Sequence, residues 1–317
     1  MWCEENMNGQ AKGRIAMQSS DGTKWRAEER PCPICGSRKI KELGARGGRA
    51  HHEGKGVETR IVRCKDCQVV YAHPTLIPES NPYEKESAEE YFQLHDSQQK
   101  IVQGESLAKY AEGVLGTAGK MLELGCGRGE LLKGALNRGW SVYGVEMTED
   151  YARVARSHGV EIEESSIENC KSLDQTYDVI LLAAVLEHLY DPMKTLERIR
   201  NALRPGGLLF IDVPNESSLT MRIGNLYMRA RGRDWVINLS PTFSPFHVVG
   251  FSPTSLRHAL RSVGFSIHKL NVPKWNNALP EGKTTGQKIE RLALGLVQSV
   301  GEVIGMGDGI SCWAIRK

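Results

Sequence analysis

Residues 120–130 read Lys120-Met-Leu-Glu-Leu-Gly-Cys-Gly-Arg-Gly-Glu130, a short apolar run that passes into a glycine-rich turn and then a helix. Met121 to Leu124 have the length and character of a buried strand. Beyond the turn, Leu131, Leu132, Ala135 and Leu136 share one helical face, and Gly139 marks the stop. Gly125, Gly127 and Gly129 let the backbone turn sharply and approach a ligand with no side chain in the way.

Such a turn alone is weak evidence, because nucleotide-binding loops look similar. Three details favour S-adenosylmethionine. Glu123 sits two residues before the first glycine, where a carboxylate at a strand end faces an ammonium group. No Lys-Ser/Thr follows the loop, which excludes a phosphate-cradling P-loop. The next strand, Ser141-Val-Tyr-Gly-Val-Glu146, ends in an acid placed to accept both ribose hydroxyls. The Gly-x-Gly-x-x-Gly spacing of a dehydrogenase is not met.

Working outward, the alternation continues. Thr148 is the expected cap of a helix through His158, stopped by Gly159; Val160 to Ile162 and Tyr177 to Leu182 read as strands. Asp191-Pro192 supplies a capping side chain and a proline at the first helical position. That helix buries Leu196, Ile199 and Leu203 and ends at Arg204-Pro-Gly-Gly207, before a strand over Leu208 to Val213. Ser252 and Pro253 open another helix, with Leu256, Leu260 and Val263 inward and Gly264 as stop. Strands follow at Ser266 to Val272 and Ile310 to Ile315. The pattern predicts an α/β, Rossmann-like parallel sheet that takes ligands at the carboxyl ends of its strands.

Upstream, Cys32-Pro-Ile-Cys35-Gly36 and Cys64-Lys-Asp-Cys67 are two Cys-x-x-Cys knuckles. Two such knuckles supply the tetrahedral sulfur shell of structural zinc, and four cysteines leave no open coordination position for catalysis. The other cysteines, Cys3, Cys126, Cys170 and Cys312, are scattered. His51 and His52, in the intervening glycine-rich loop, are weighed as replacements for a cysteine and set aside. The expected organisation is a mobile leader over 1–30, a zinc ribbon over 31–75 and a helical linker over 76–117, helical from Asn81 through Tyr110. The main domain spans 118–317, with a substrate lid near 216–250 and an apolar helical insert near 284–305.

A formal charge of +3 over 317 residues argues against an electrostatic nucleic-acid binder. The first 25 residues contain no apolar stretch of signal-peptide length, so the expected location is the cytoplasm. The insert carries Ile289, Leu292, Leu294, Leu296, Val297, Val300, Val303 and Ile304. Glu302 and its glycines argue against a membrane span, and leave pocket closure, subunit pairing or contact with a membrane surface.

From about Ala118 onward the chain resembles the class I S-adenosylmethionine-dependent methyltransferases. The segments that carry the likeness are Glu123-Leu-Gly-Cys-Gly-Arg-Gly129, Tyr177-Asp178, Val185-Leu-Glu-His-Leu-Tyr-Asp-Pro192, Leu203-Arg-Pro-Gly-Gly207 and Val213-Pro-Asn215. The branch containing the ubiquinone-pathway O-methyltransferases is similar, as are bacterial enzymes with a Cys-Pro-x-Cys ribbon that modify sugars or natural products. The resemblance implies a doubly wound, seven-stranded sheet whose last strand is antiparallel. It also implies that Ser166 and Ile167 flank the adenine, although the acidic residue often found near that point is displaced here to Glu164 or Glu168. The implied cofactor set is Glu123, Gly125, Cys126, Gly127, Gly129, Glu146, Met147, Ser166, Ile167 and Ala184. The implied metal ligands are Cys32, Cys35, Cys64 and Cys67.

The sulfonium is already an excellent methyl donor, so the protein mainly aligns the nucleophile behind the methyl group. A hydroxyl or carbon acid also needs a base, and His188 and His247 are the candidates, while Glu187 reads as a loop-fixing carboxylate. Arg222, Arg229, Arg231 and Arg233 in the lid suit a phosphate or carboxylate on the acceptor. The expected activity is methyl transfer to a small molecule, a sugar, glycolipid or natural-product intermediate. The competing readings are an RNA-modifying enzyme that binds RNA through its ribbon, and a non-catalytic zinc-bearing adaptor. Neither the stacking aromatics of a single-strand binder nor an Asn/Asp-Pro-Pro-Tyr/Phe motif after Leu182 supports the RNA reading.

Overall fold

The structure is a computed structural model that describes residues 16–19, 21–80, 97–275 and 285–317. Six short strands come first: β1 (Ala16–Gln18), β2 (Lys24–Glu28), β3 (Ile40–Arg46), β4 (Thr59–Cys64), β5 (Val70–Ala72) and β6 (Thr75–Pro78). A helix α1 (Ser97–Leu115) leads into the main alternation of β7 (Lys120–Leu124), α2 (Glu130–Asn137), β8 (Ser141–Glu146), α3 (Glu149–Ser157), β9 (Glu161–Glu164) and β10 (Tyr177–Ala183). Then follow α4 (Pro192–Ala202), β11 (Leu203–Pro214), α5 (Leu219–Ala230), β12 (Val249–Gly250), α6 (Pro253–Ser262), β13 (Phe265–Asn271), α7 (Thr285–Val303) and β14 (Gly309–Arg316).

The main sheet has the order β13-β14-β11-β10-β7-β8-β9. Its neighbours pair in parallel except at β14, which is antiparallel to both β11 and β13. This is the expected doubly wound sheet with its last strand reversed. The central strands are apolar because helices cover both faces. One face packs Leu122, Ile180 and Leu209 beneath α4 and α6; the other packs Met121, Val179 and Trp313 against α1 and α2. Helices α1 and α2 cross so closely that a Cβ at Gly104 would collide with the Leu131 carbonyl.

The helix starts obey the local chemistry read from the sequence. Asp191 accepts from the Lys194 N–H ahead of Pro192, and Ser252 forms a reciprocal capping box with Ser255. At α3 the mechanism differs: the Thr148 side chain makes no cap bond. The Thr148 N–H instead donates to Glu146 at 2.8 Å.

The amino-terminal region departs from expectation. Among the described residues of the supposed mobile leader, β1 and β2 pair with each other, and β2 pairs with β6. Trp25 is buried against Leu76 and Phe246, and its indole N–H donates to Ser19 at 3.2 Å. Alternating polar residues concealed this strand, whose apolar cover, Leu76 and Phe246, lies far along the chain. The cysteine module is also not self-contained. Its sheet runs β12-β5-β4-β3, with the strand β12 supplied from beyond residue 240. Of the expected linker helix, 97–115 is helical, and 81–96 lies outside the described residues.

The stretch expected to form a lid splits in two. Helix α5 is largely exposed, but the chain after it packs onto the ribbon, with Trp235 bridging to Ala45 and Val236 and Leu239 clustering with Ile61, Val70 and Ala72. Residues 235–250 therefore form a wall. Among the described residues no helix is long and apolar enough to cross a membrane.

Candidate active site

The carboxyl end of β7 delivers Glu123 into the interior, 3% exposed, with Oε2 lacking any hydrogen-bond partner. Burial pushes its pKa well above the usual carboxylate range. An unpartnered buried carboxylate is costly, and a ligand ammonium would satisfy it. The glycine turn is tied to β8: the Gly125 and Cys126 N–H groups both donate to the Val145 carbonyl, at 2.8 and 3.1 Å. Gly125, Gly127 and Gly129 all have positive φ, of 67°, 54° and 73°. A Cβ at Gly125 would press on Val185 at 2.9 Å, whereas one at Gly127 would meet nothing within 4 Å. The turn thus presents a bare backbone to open space, which fits the methionine end of an adenosyl cofactor.

Glu146, at the end of β8, is buried and accepts from the Gly127 N–H at 2.9 Å through Oε2, and from Thr148 through Oε1. Each carboxylate oxygen has two acceptor directions, so capacity for a ribose diol is retained. Met147 beside it is exposed at the surface. Ser166 and Ile167 are half-buried in the loop after β9. Arg198 of α4 pins that loop by donating to the Ile167, Glu168 and Cys170 carbonyls at 2.6–2.9 Å. Ala184 is exposed at the end of β10, with φ of 55° and its N–H bonded to the Asp212 carbonyl at 2.8 Å.

Immediately after β10, a single 3-10 turn over Leu186–His188 builds the second centre. Glu187 is 1% exposed, and neither of its oxygens has a hydrogen-bond partner. His188 Nε2 and His247 Nε2 approach the same Oε1 to 4.0 and 3.9 Å. The two imidazoles stand edge to face, centroids 4.9 Å apart. His247 is held by its N–H to Ser240 Oγ at 3.3 Å, and the next N–H, of Val248, donates to the Glu187 carbonyl at 2.9 Å.

Burial drives each group toward its neutral form. Glu187 is pushed up to about 8, and Asp212 nearby to about 7; His188 falls to about 4 and His247 to about 3. A carboxylic acid with two neutral imidazoles holds the same number of protons as a carboxylate beside one imidazolium. The cluster is net neutral in either arrangement, and moving its proton between Glu187 and an imidazole spans about 4 Å. With Glu187 ionised and both imidazoles neutral the cluster carries one negative charge, and taking up an acceptor's proton brings it to either of these neutral arrangements.

The four paired cysteines converge. Cys32 and Cys67 sulfurs lie 3.4 Å apart, Cys35 and Cys64 3.5 Å, and all four lie within 4.8 Å of one another as free thiols. Tetrahedral zinc with Zn–S of about 2.3 Å requires sulfurs about 3.8 Å apart. The donor set fits. His51 and His52 stack on each other, with His51 against Phe243, and neither belongs to the sulfur cluster.

The structure therefore gathers Glu123, the glycines and Glu146 at one turn, and His188 with His247 at the neighbouring one, where Val185 touches the glycine turn. The central position of Glu187 escapes sequence reading. Its adjacency to His188 was visible, but the approach of His247 depends on the wall formed by 235–250. Arg198 was likewise missed, because its arginine reads as an exposed helical position.

Comparison with known proteins bears on the family and the fold. Residues 96–270 match the family model described as a methyltransferase domain. The ubiquinone biosynthesis O-methyltransferase of Marinobacter nauticus is 28% identical over 177 residues, which cover 53% of this chain and 72% of that protein. The Aeromonas salmonicida protein of the same name is 36% identical over 119 residues, covering 34% and 50%. Among solved structures, an S-adenosylmethionine-dependent methyltransferase from Archaeoglobus fulgidus superposes with a TM-score of 0.51 at 19% identity, covering 73% of this chain and all of that one. The plantazolicin methyltransferase BpumL in complex with SAH gives 0.50 at 16%, covering 75% and 91%. At these identities the structural likeness bears on fold alone.

Proposed function

The chain belongs to the methyltransferase-domain family and is an S-adenosylmethionine-dependent methyltransferase; from that premise we propose that its acceptor is a hydroxyl or carbon centre of a small molecule, a sugar, glycolipid or natural-product intermediate. The observation that carries this reading is the buried Glu187–His188–His247 cluster beside the glycine turn. An amine or thiolate attacks a sulfonium methyl with little help, whereas an alcohol or carbon acid needs its proton taken.

In this reading Glu123 and the Gly125–Gly129 turn, Cys126 included, hold the methionine end of the cofactor. Glu146 takes the ribose, and Met147, Ser166, Ile167 and Ala184 line the remainder. When bound, the cofactor supplies the electrophilic methyl group. His188 or His247 accepts the acceptor's proton, and Glu187 in its ionised form makes the resulting pair neutral overall. The exposed Arg222, Arg229, Arg231 and Arg233 suit a phosphorylated or carboxylated acceptor. Cys32, Cys35, Cys64 and Cys67 would hold one structural zinc, which anchors β4 and β5 and thereby the wall bearing His247.

The test is to incubate the protein with methyl-labelled S-adenosylmethionine and a whole bacterial extract that retains RNA, protein and small molecules, then locate the label. Label on oxygen or carbon of a small molecule supports the reading. Label on RNA, on protein or on amine nitrogen overturns it.

A further inference from the structure

Helix α7 has an apolar stripe on its outer side. Leu292, Leu296, Val300 and Val303 are 75, 67, 44 and 86% exposed. Their spacing of four, four and three puts them on one helical face. Ile304 prolongs the stripe, 54% exposed. A surface helix normally turns such a stripe inward. At one end, Leu292 and Leu296 share an open hollow with Lys274, Lys288 and Arg291. These three cations are exposed, and none makes an ion pair among the described residues.

Helix α5 repeats the pattern. Ile223, Leu226 and Tyr227 are exposed, with Arg222 and Arg229 beside them. The two helices adjoin, the Leu219 N–H at the start of α5 donating to the Met306 carbonyl just beyond α7, at 3.0 Å.

We propose that α7, with α5 beside it, docks the protein onto an anionic phospholipid surface, the stripe entering the acyl boundary and the cations meeting headgroup phosphates. Neither helix is apolar enough to span, so the mode is in-plane. Charge complementarity argues for this occupant: Lys274, Lys288 and Arg291 gather beside Leu292 and Leu296, where headgroup phosphates would meet them, while Glu302 is an exposed acid nearer the other end of the stripe. A parallel two-fold contact through the stripe would instead bring Lys288 and Arg291 of one copy near the same cations of the other, and like charges so placed cost affinity. An anionic bilayer complements both the stripe and its rim.

The test is flotation of the full chain with vesicles of phosphatidylglycerol and phosphatidylcholine in equal parts, against phosphatidylcholine alone. The protein is expected to float with the anionic vesicles and to be released by high salt. The variant Leu292→Asp/Leu296→Asp should abolish flotation. The variant Lys288→Gln/Arg291→Gln should weaken it about fivefold per charge, since each cation near such a surface contributes on the order of 1 kcal/mol. Melting curves establish that each variant is folded, and if the aspartate variant is not, the glutamine variant decides. Equal partitioning onto both vesicle types, undiminished binding by a folded variant, or a salt-independent dimer that Leu296→Asp dissociates without any vesicle binding would each overturn the proposal.

Discussion

Glu187 and His247 are sixty positions apart in the chain, yet His247 Nε2 lies 3.9 Å from Glu187 Oε1, in a pocket that leaves the carboxylate 1% exposed. The contact joins the turn after β10 to the wall that carries β12.

With an acceptor hydroxyl or carbon acid in hand, replacing the imidazole that accepts the proton by alanine should lower kcat by roughly 100-fold or more. Glu187→Gln should show a similar loss, because an amide cannot exchange a proton with either ring. Cofactor-induced thermal shifts should persist in all three variants. If neither His188→Ala nor His247→Ala slows turnover tenfold, neither imidazole is the base.

S-adenosylmethionine and its demethylated product should both raise the melting temperature. At about 100 times the dissociation constant, linkage gives roughly 2.7 kcal/mol, a shift of a few degrees. NAD should give none. Gly127→Val should abolish the shift, since φ of 54° resists a β-branched residue and its side chain would fill the open space beside the turn. Glu146→Ala should weaken it and also lower the starting stability, by about 1.5–3 kcal/mol for each charge-assisted bond to Gly127 and Thr148. Stabilisation by NAD and indifference to both adenosyl compounds would contradict the cofactor assignment.

Freshly purified protein should contain one zinc per chain, measured by elemental analysis. Cys64→Ala should lose it, as should Cys35→Ala. Structural zinc contributes on the order of 10 kcal/mol in small peptides. The loss should therefore reach Val249 and Gly250, seen as faster amide exchange there, because β12 hangs on β5. Full zinc content in both variants would remove the cysteines as ligands.

Stability should fall as pH rises from about 6.5 to 8. Glu187 and Asp212 have folded pKa values raised by burial to about 8 and about 7, so the native state keeps protons that the unfolded chain releases. His188 and His247 act oppositely, with folded values of about 4 and about 3. Their contribution is complete above about 6.5 and is lost as pH falls, and it offsets the acids between about 4.5 and 6.5. Glu216 adds like charge near Glu187. Denaturant unfolding of Glu187→Gln should remove about 1–2 kcal/mol of the fall above pH 6.5. An unchanged pH profile would show that Glu187 is ionised in the native state.

Trp25→Ala should destabilise the protein by about 3–5 kcal/mol, as expected for a large buried aromatic. Unfolding measurements within 0.5 kcal/mol of wild type would restore the reading of this region as a loose leader.

What the sequence revealed and what it hid divide by distance along the chain. The strand, glycine turn and helix over 120–137 are specified by neighbours, so their periodicity and glycines made the parallel sheet legible, while the reversed β14 was expected only from the family resemblance. The capping residues Asp191 and Ser252 act within three positions. Trp25, β12 and the Glu187–His247 contact depend on partners from remote segments. Two-residue β12 has no periodicity to read, and β2 looks polar because its cover, Phe246 and Leu76, comes from elsewhere. The candidate site was thus found one residue at a time, while its proton-sharing centre needed the fold.

The late arrival of β12 has a consequence during synthesis. The ribosome adds about 5–20 residues per second, so β5 must wait roughly 10–35 s for its outer neighbour to emerge. Throughout that interval a strand edge with buried-type residues Val70, Tyr71 and Ala72 stands open, ready to pair with another nascent chain. Cells short of chaperone capacity should therefore lose this protein to aggregation before its carboxyl-terminal half is translated, and shortening the delay by permuting the gene so that 235–251 is made first should raise the soluble yield.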